Sequence, residues 1–245
     1  MNVLRIIAGT LPVAFAAGLG VPAAAQNTFD LPAGCEAYAS AQLRSCEVMH
    51  FFRCENDPEG HQQSATFDQT GMIFVSRIDT QTQWIESFSL RSGIQENLEE
   101  TPNDPANFDE LLETGIDTFD FKTLSPQVGA THFTGFDQLT GRSITIDGVE
   151  LLETENNVTA YGNDGNILWQ AQGNEYIHPT WRRFFPGTAV VTADGNTFDT
   201  DESPVEFDFP GDSGFLSVNP KFGCDAVMSR APSQLDSKEM PHDHL

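Results

Sequence analysis

Ser45-Cys46-Glu47-Val48-Met49-His50-Phe51-Phe52-Arg53-Cys54 is a ten-residue stretch that carries two of the chain's four cysteines. If it forms a β-strand, its side chains alternate, and Cys46, His50 and Cys54 share one face. Eight residues of extended chain separate the two cysteines by roughly 27 Å, which is too far for them to bond to each other. We therefore predict that each one pairs with Cys35 or Cys224.

The sequence leaves two disulfide pairings open. One joins Cys35 to Cys46 and Cys54 to Cys224, and the other joins Cys35 to Cys54 and Cys46 to Cys224. In either case one bond connects the start of the domain to its end. An even number of cysteines in an exported chain favours disulfides over a thiol site or a zinc site, so we predict no metal ligands.

Export is predicted from the N-terminus. A short segment with Arg5 precedes the apolar run 6–21, and Ala23-Ala24-Ala25 is typical of a cleavage site. Residues 1–25 are therefore predicted to be a secretory signal peptide, cleaved after Ala25, that sends the protein to the periplasm, with an extracellular location as the alternative. We expect a linker at 26–34, a single disulfide-linked β domain at 35–230 and a disordered acidic tail at 231–245.

The charge balance excludes some partners. The chain has 36 acidic residues against 12 lysines and arginines, a formal net charge of −24. Such a chain repels nucleic acids and anionic membrane surfaces. Beyond the signal peptide, no apolar run approaches the ~18 residues of a membrane-spanning helix, so we predict a protein that does not span a membrane. No cofactor is predicted, and the oligomeric state stays open.

The rest of the chain indicates strands joined by tight turns. Segments rich in aromatic and β-branched residues alternate with Asp-Gly and Asn-Asp-Gly turns, which are typical of hairpins. We predict a mainly β protein with a single curved or closed antiparallel sheet of about 11–13 strands and one short helix at about 105–114, capped by Asp104. Further expectations are a turn at Asp137–Gly141 and a closing strand at Phe215–Val218.

Five residues are candidates for contact with a ligand or a partner. Trp181, Arg182 and Arg183 form an aromatic and basic cluster that could bind a carboxylate or phosphate through forked guanidinium contacts. Alternation places Trp181 and Arg183 on one face and Arg182 on the other, and the arginines could equally pair with the surplus acids. His178, before a proline, and His50 are the other two candidates. No catalytic residue is predicted.

Several short segments together resemble a group of uncharacterised exported proteins of marine alphaproteobacteria. They are Gly34-Cys35-x-Ala37-Tyr38, Arg44-Ser45-Cys46-x-Val48-x-His50, Cys54-x2-Asp57-Pro58-x-Gly60, Phe74-Val75-Ser76-Arg77-Ile78-Asp79 and Trp181-Arg182-x-Phe184-Phe185. The resemblance covers most of the mature chain. It implies a Gram-negative periplasm, and it implies no activity and no site residues.

Two functional hypotheses follow. The first is a non-catalytic periplasmic protein that binds or interacts with an unknown protein of the cell envelope. The second is a carrier that holds an apolar small molecule or lipid in the cavity of a curved sheet, where the 19 phenylalanines could form the lining. A hydrolase-type enzyme comes third.

Overall fold

The structure is a computed structural model that describes residues 27–224. Within this range the chain forms thirteen strands in one antiparallel sheet and one helix. The elements are β1 (Cys35–Leu43), β2 (Val48–Cys54), β3 (Gln62–Asp68), β4 (Gly71–Ile78), β5 (Trp84–Ser89), β6 (Ile94–Leu98), α1 (Phe108–Thr114), β7 (Ile116–Ser125), β8 (Gly129–Ile146), β9 (Val149–Tyr161), β10 (Ile167–His178), β11 (Arg183–Ala193), β12 (Asn196–Asp201) and β13 (Pro204–Asp208). The predicted fold class is confirmed.

The sheet is a meander whose last strand returns to its beginning. From β1 to β12 every strand pairs with its neighbours in the chain, and β13 pairs with β1. Only Glu202 and Ser203 connect the two edge strands, β12 and β13. At this connection the Glu202 N–H donates to the Gly187 carbonyl of β11, and the Arg44 N–H donates to the Ser203 carbonyl. The edges of the sheet therefore approach each other at one corner without closing into a barrel.

The largest core cluster shows how strongly the sheet curves. Phe51 of β2, Leu151 of β9 and Phe185 of β11 are buried in the same cluster, although six strands separate β2 from β9 in the sheet. The Phe51 and Phe185 rings meet edge to face with their centroids 5.3 Å apart. Each buried side chain of this size contributes about 1.5–3 kcal/mol. Burial of these rings against one another stabilises the curved shape.

Strand β8 corrects one prediction. Asp137–Gly141 was predicted to be a turn, but β8 runs through it for 18 residues. A register shift between Leu139 and Ser143 absorbs the extra residues as a bulge, so the chain continues along β9. The turn at Asp147-Gly148 is confirmed, and both of its residues have the positive φ angles, 47° and 82°, that a two-residue hairpin requires.

Helix α1 is shorter than predicted. Its cap is Asn107, whose side chain accepts a hydrogen bond from the Glu110 N–H, and the helix begins at Phe108. Asp104, the predicted cap, instead exchanges two backbone hydrogen bonds with Asp120. Phe108 is buried, with Leu111 of the same helix face, against the ends of β8 to β11. The helix and its preceding loop therefore lie over one end of the sheet.

The two chain ends of the described region pack on the outer face of β1 to β3. Phe29, which lies in the segment predicted to be a linker, stacks near His50 and Phe67. Residues 215–218, predicted to be a strand, form a turn with one isolated bridge between Ser217 and Thr28. The predicted signal peptide and the whole of the predicted acidic tail lie outside the described residues.

The second disulfide pairing is the one observed. Cys35 bonds to Cys54, and Cys46 bonds to Cys224. The prediction that Cys46 and Cys54 belong to different disulfides is confirmed, but Cys46 does not lie on a strand. It occupies the turn before β2 with a φ of 65°. There it meets the C-terminal segment, where Gly223 approaches so closely that an added Cβ would lie 1.8 Å from the Arg44 carbonyl oxygen.

Candidate ligand-binding site

The curved sheet encloses a partly open cavity of about 100 Å³. About half of its lining residues are polar or charged, and its apolar wall includes six aromatic side chains of β4, β5, β7 and β11: Phe74, Trp84, Phe119, Phe121, Phe184 and Phe185. Within this wall the Trp84 ring lies edge-on to Phe121, with centroids 5.3 Å apart. Ala106, in the loop before α1, also borders the cavity. The site is thus a pocket between the sheet and the loop that leads into the helix.

A row of polar side chains crosses this aromatic surface. By register, Asp117 of β7 lies opposite Asp137 of β8, and Asp137 lies opposite Asn156 of β9. Gly173 of β10 lies opposite Asn156, and Glu175, two residues further along β10, shares the face of Gly173; Asp137, Asn156 and Glu175 all line the cavity. Side chains directly opposite in neighbouring strands have Cβ atoms about 4.5–5.5 Å apart. Three carboxyl groups and an amide are therefore close together.

The carboxyl groups in this row hold protons more tightly than usual. Burial raises the pKa of Asp137 to about 7, and the charge of Asp117 adds to the effect. Burial also raises the pKa of Asp117 to about 6, although its carboxylate accepts a hydrogen bond from the Asn107 N–H. The pKa of Glu175 is raised well above its ordinary value by burial and by Asp137. Near neutral pH the row can therefore donate as well as accept hydrogen bonds.

Arg183 also lines the cavity. It is 5% exposed, and its guanidinium carbon lies 4.8 Å from the centre of the Phe51 ring. Burial lowers its pKa, while a hydrogen bond with Tyr38 opposes this change. The Nε and Nη2 atoms are buried and have no hydrogen-bond partner within residues 27–224. Because guanidinium groups stay protonated in proteins, the cavity borders a cation whose donors are not all used.

Arg182 faces the other way, as alternation predicts. Its Nη1 donates to Asp109 Oδ1 of α1 at 2.8 Å, and its guanidinium lies over the Phe108 ring at 4.9 Å. It also donates to the Thr80 carbonyl and to Gln81. Arg182 therefore ties the loop between β10 and β11 to the helix and to the loop between β4 and β5.

Trp181, in the same loop, and His178, the last residue of β10, form a stacked pair. Their ring centroids are 4.0 Å apart at an interplanar angle of 8°, and His178 Nδ1 accepts a hydrogen bond from the Trp181 N–H. Burial lowers the pKa of His178. Trp181 packs against the main core beside Phe207 and Phe209. The structure places this pair in the loop's own packing and not on the cavity wall.

His50 is a core residue on the outer face of β2. It is fully buried, its Nδ1 lies 2.8 Å from the Ser40 hydroxyl, and its ring stacks on Phe29. Burial lowers its pKa to about 4, so the imidazole is neutral at pH 7. Met49, the adjacent residue, faces the cavity instead.

Of the predicted candidates, the structure therefore brings only Arg183 to the cavity. Sequence reasoning missed Asp117, Asp137, Asn156 and Glu175. One signal for Asp117 was present, because alternation along β7 puts it on the same face as Phe119 and Phe121. Asp137 gave no such signal, since its segment reads as a turn.

Comparison of the chain with protein-family models, with curated proteins and with solved structures finds no match. Within residues 27–224, no cluster of three or more His, Cys, Asp or Glu side chains has an arrangement that would hold a metal ion. Across the same residues there is no helix with the length and apolar character needed to cross a membrane. The two disulfides fit an oxidising location outside the cytoplasm. Functional inference therefore depends on the cavity itself.

Proposed function

We propose that the protein is an exported, periplasmic binding protein that holds a small molecule in the cavity of its curved sheet. The observation that carries the proposal is a concave cavity in which an apolar wall with six aromatic side chains meets convergent polar groups, as in small-molecule sites. Of the two hypotheses from the sequence, the cavity supports the carrier over the module that interacts with an envelope protein. Export rests on the signal sequence and agrees with the two disulfides.

The size of the cavity supports a compact ligand. At about 100 Å³ it is of the same order as the ~150 Å³ apolar cavity that accepts benzene in an engineered protein, and because it is partly open a bound molecule can extend beyond it. A lipid with full-length acyl chains needs far more space. We therefore narrow the carrier hypothesis to small organic molecules with an apolar body.

Native mass spectrometry tests the proposal on the mature protein purified from its own periplasm. We expect a small molecule to remain bound, and to be identified after denaturation. The variant Val158→Phe should lose it, because Val158 is 6% exposed and lines the cavity, so the larger ring fills the space. Val190→Phe is the matched control, since Val190 is 48% exposed on β11.

Two results would contradict the proposal. One is a wild-type protein that carries no small molecule and binds none from a panel of small aromatic and aliphatic compounds. The other is a Val158→Phe protein, folded with both disulfides formed, that retains the molecule as well as Val190→Phe does.

A further inference from the structure

We propose that the ligand is a small monocarboxylate whose carboxylate binds the free edge of Arg183 while its apolar body lies against the aromatic wall. This inference rests on the proposed function, because it names the chemical class of the molecule that the cavity holds. It depends on the position of Arg183, on which of its donors are unused and on the composition of the cavity.

The unused donors of Arg183 lie on one edge of the guanidinium group. Nε and Nη2 are the two nitrogens without a partner within residues 27–224, and their N–H bonds point in the same direction. This is the fork that grips both oxygens of a carboxylate in a bidentate pair. Two other contacts of the side chain, the hydrogen bond with Tyr38 and the face of the Phe51 ring, do not use the donors of that edge.

The environment of Arg183 makes an unpaired state costly. A buried charge without an ionic partner costs several kcal/mol, and the described residues provide no carboxylate that forms an ion pair with this group. The nearby Arg53 adds a like charge. An anion bound in the cavity that Arg183 lines would supply the missing partner.

A single negative charge fits the site better than a phosphate dianion does. Arg77 and Arg183 both line the cavity, but Arg77 forms ion pairs with Asp57 and Glu86, so Arg183 provides the one unpaired positive charge among the described lining residues. A second negative charge on the ligand would therefore have no unpaired cation to neutralise it among the described lining residues, in a poorly solvated space. The apolar part of the wall also favours a ligand with an apolar body, which inorganic phosphate lacks.

Isothermal titration calorimetry with three probes tests the inference at pH 7: benzoate, benzyl alcohol as a neutral compound of similar size, and inorganic phosphate. We expect wild-type protein to bind benzoate more tightly than the other two. Arg183→Met should weaken benzoate binding at least tenfold and change benzyl alcohol binding less than twofold. Arg183→Lys, which keeps the charge but lacks the fork, should also lose most of the benzoate affinity.

Arg182→Met is the matched control. It removes the neighbouring arginine, whose contacts are with Asp109, Gln81 and Thr80, and it should leave benzoate binding unchanged. Thermal unfolding of each ligand-free variant verifies that it is folded before titration.

The outcomes separate this inference from the proposed function. Equal benzoate affinity in wild type and Arg183→Met would overturn the role of Arg183. Tighter binding of benzyl alcohol or of phosphate than of benzoate would overturn the monocarboxylate class, and small-molecule binding would still stand. If neither benzoate nor benzyl alcohol binds and no molecule co-purifies with the native protein, the proposed function fails as well.

Discussion

Replacing Asp137 by asparagine tests how much the buried carboxyl of Asp137 lowers the free energy of unfolding. Burial raises the pKa of Asp137 from 3.8 to about 7. At about 1.4 kcal/mol per pH unit, ionising this carboxyl in the folded protein costs on the order of 4 kcal/mol. Asparagine has a similar shape and carries no charge, so it avoids that cost.

The sign follows from proton linkage. Between pH 3.8 and about 7 the folded protein keeps a proton on Asp137 that the unfolded chain has released. The contribution of this group to the free energy of unfolding therefore falls as the pH rises through that window, and it stays low above pH 7. We expect Asp137→Asn to be more stable than wild type by roughly 2–4 kcal/mol at pH 8, and this advantage to shrink by about 3 kcal/mol at pH 5.

Urea unfolding of both proteins at pH 5 and pH 8 gives the two differences. The comparison between proteins is essential because His50, whose pKa is lowered to about 4, changes the stability of both in the opposite direction. Asp30→Asn removes the same charge from an exposed position and should show no such pH-dependent advantage. A stability difference between wild type and Asp137→Asn that is the same at pH 5 and pH 8 would refute the reasoning.

Three further predictions concern other parts of the fold. Removal of the Cys46–Cys224 bond, which closes a separation of 178 residues, should lower the free energy of unfolding by about 5 kcal/mol. Removal of the Cys35–Cys54 bond, with its separation of 19, should lower it by about 3 kcal/mol. Denaturation of the two double serine variants measures both losses. Equal losses would argue against a loop-entropy origin. The stability of His50→Phe relative to wild type should rise by about 3 kcal/mol as the pH falls from 6.5 to 4. Wild type loses stability in this range because the imidazole takes up a proton in the unfolded chain but not in the folded protein. Parallel pH profiles of the two proteins would contradict this. Gly135→Ala should lower the free energy of unfolding by about 1–3 kcal/mol, because its Cβ would lie 2.0 Å from the Asn157 carbonyl oxygen and 2.7 Å from the Phe119 ring. As a control, Ser143→Ala at an exposed position of the same strand should change stability by less than ~0.5 kcal/mol.

The sequence predicts the sheet well where local chemistry decides the outcome. At Asp147-Gly148 the chain needs two residues with positive φ, and these residue types accept that conformation, so the hairpin is visible in the sequence. Gly115, which ends α1 with a φ of 88°, is predictable for the same reason. Alternation also separates Arg182 from Arg183 correctly.

Prediction fails where a distant strand decides. Asp137–Gly141 has the residues of a turn, but pairing with β7 and β9 keeps it extended. Asp104 and Asn107 are equally good helix caps, and only the backbone bridge between Asp104 and Asp120 selects Asn107. The same limit hid the candidate site, because its polar row comes from four strands whose register no local pattern specifies.

The cavity borders a guanidinium group and carboxyl groups that do not form an ion pair with each other. The same space is bordered by Arg183, Asp137 and Glu175. Burial and repulsion between the acids raise the pKa of the two carboxyls, and neither carboxyl forms an ion pair with Arg183. A purely structural role would favour such a pair, or apolar side chains in place of all three. An unpaired buried guanidinium and buried carboxyls with raised pKa values are each costly for a domain whose free energy of unfolding is ~5–15 kcal/mol. A ligand present at 100 times its dissociation constant adds about 2.7 kcal/mol of stability. The same argument requires that Arg183→Met be at least as stable as wild type without ligand and gain less from benzoate.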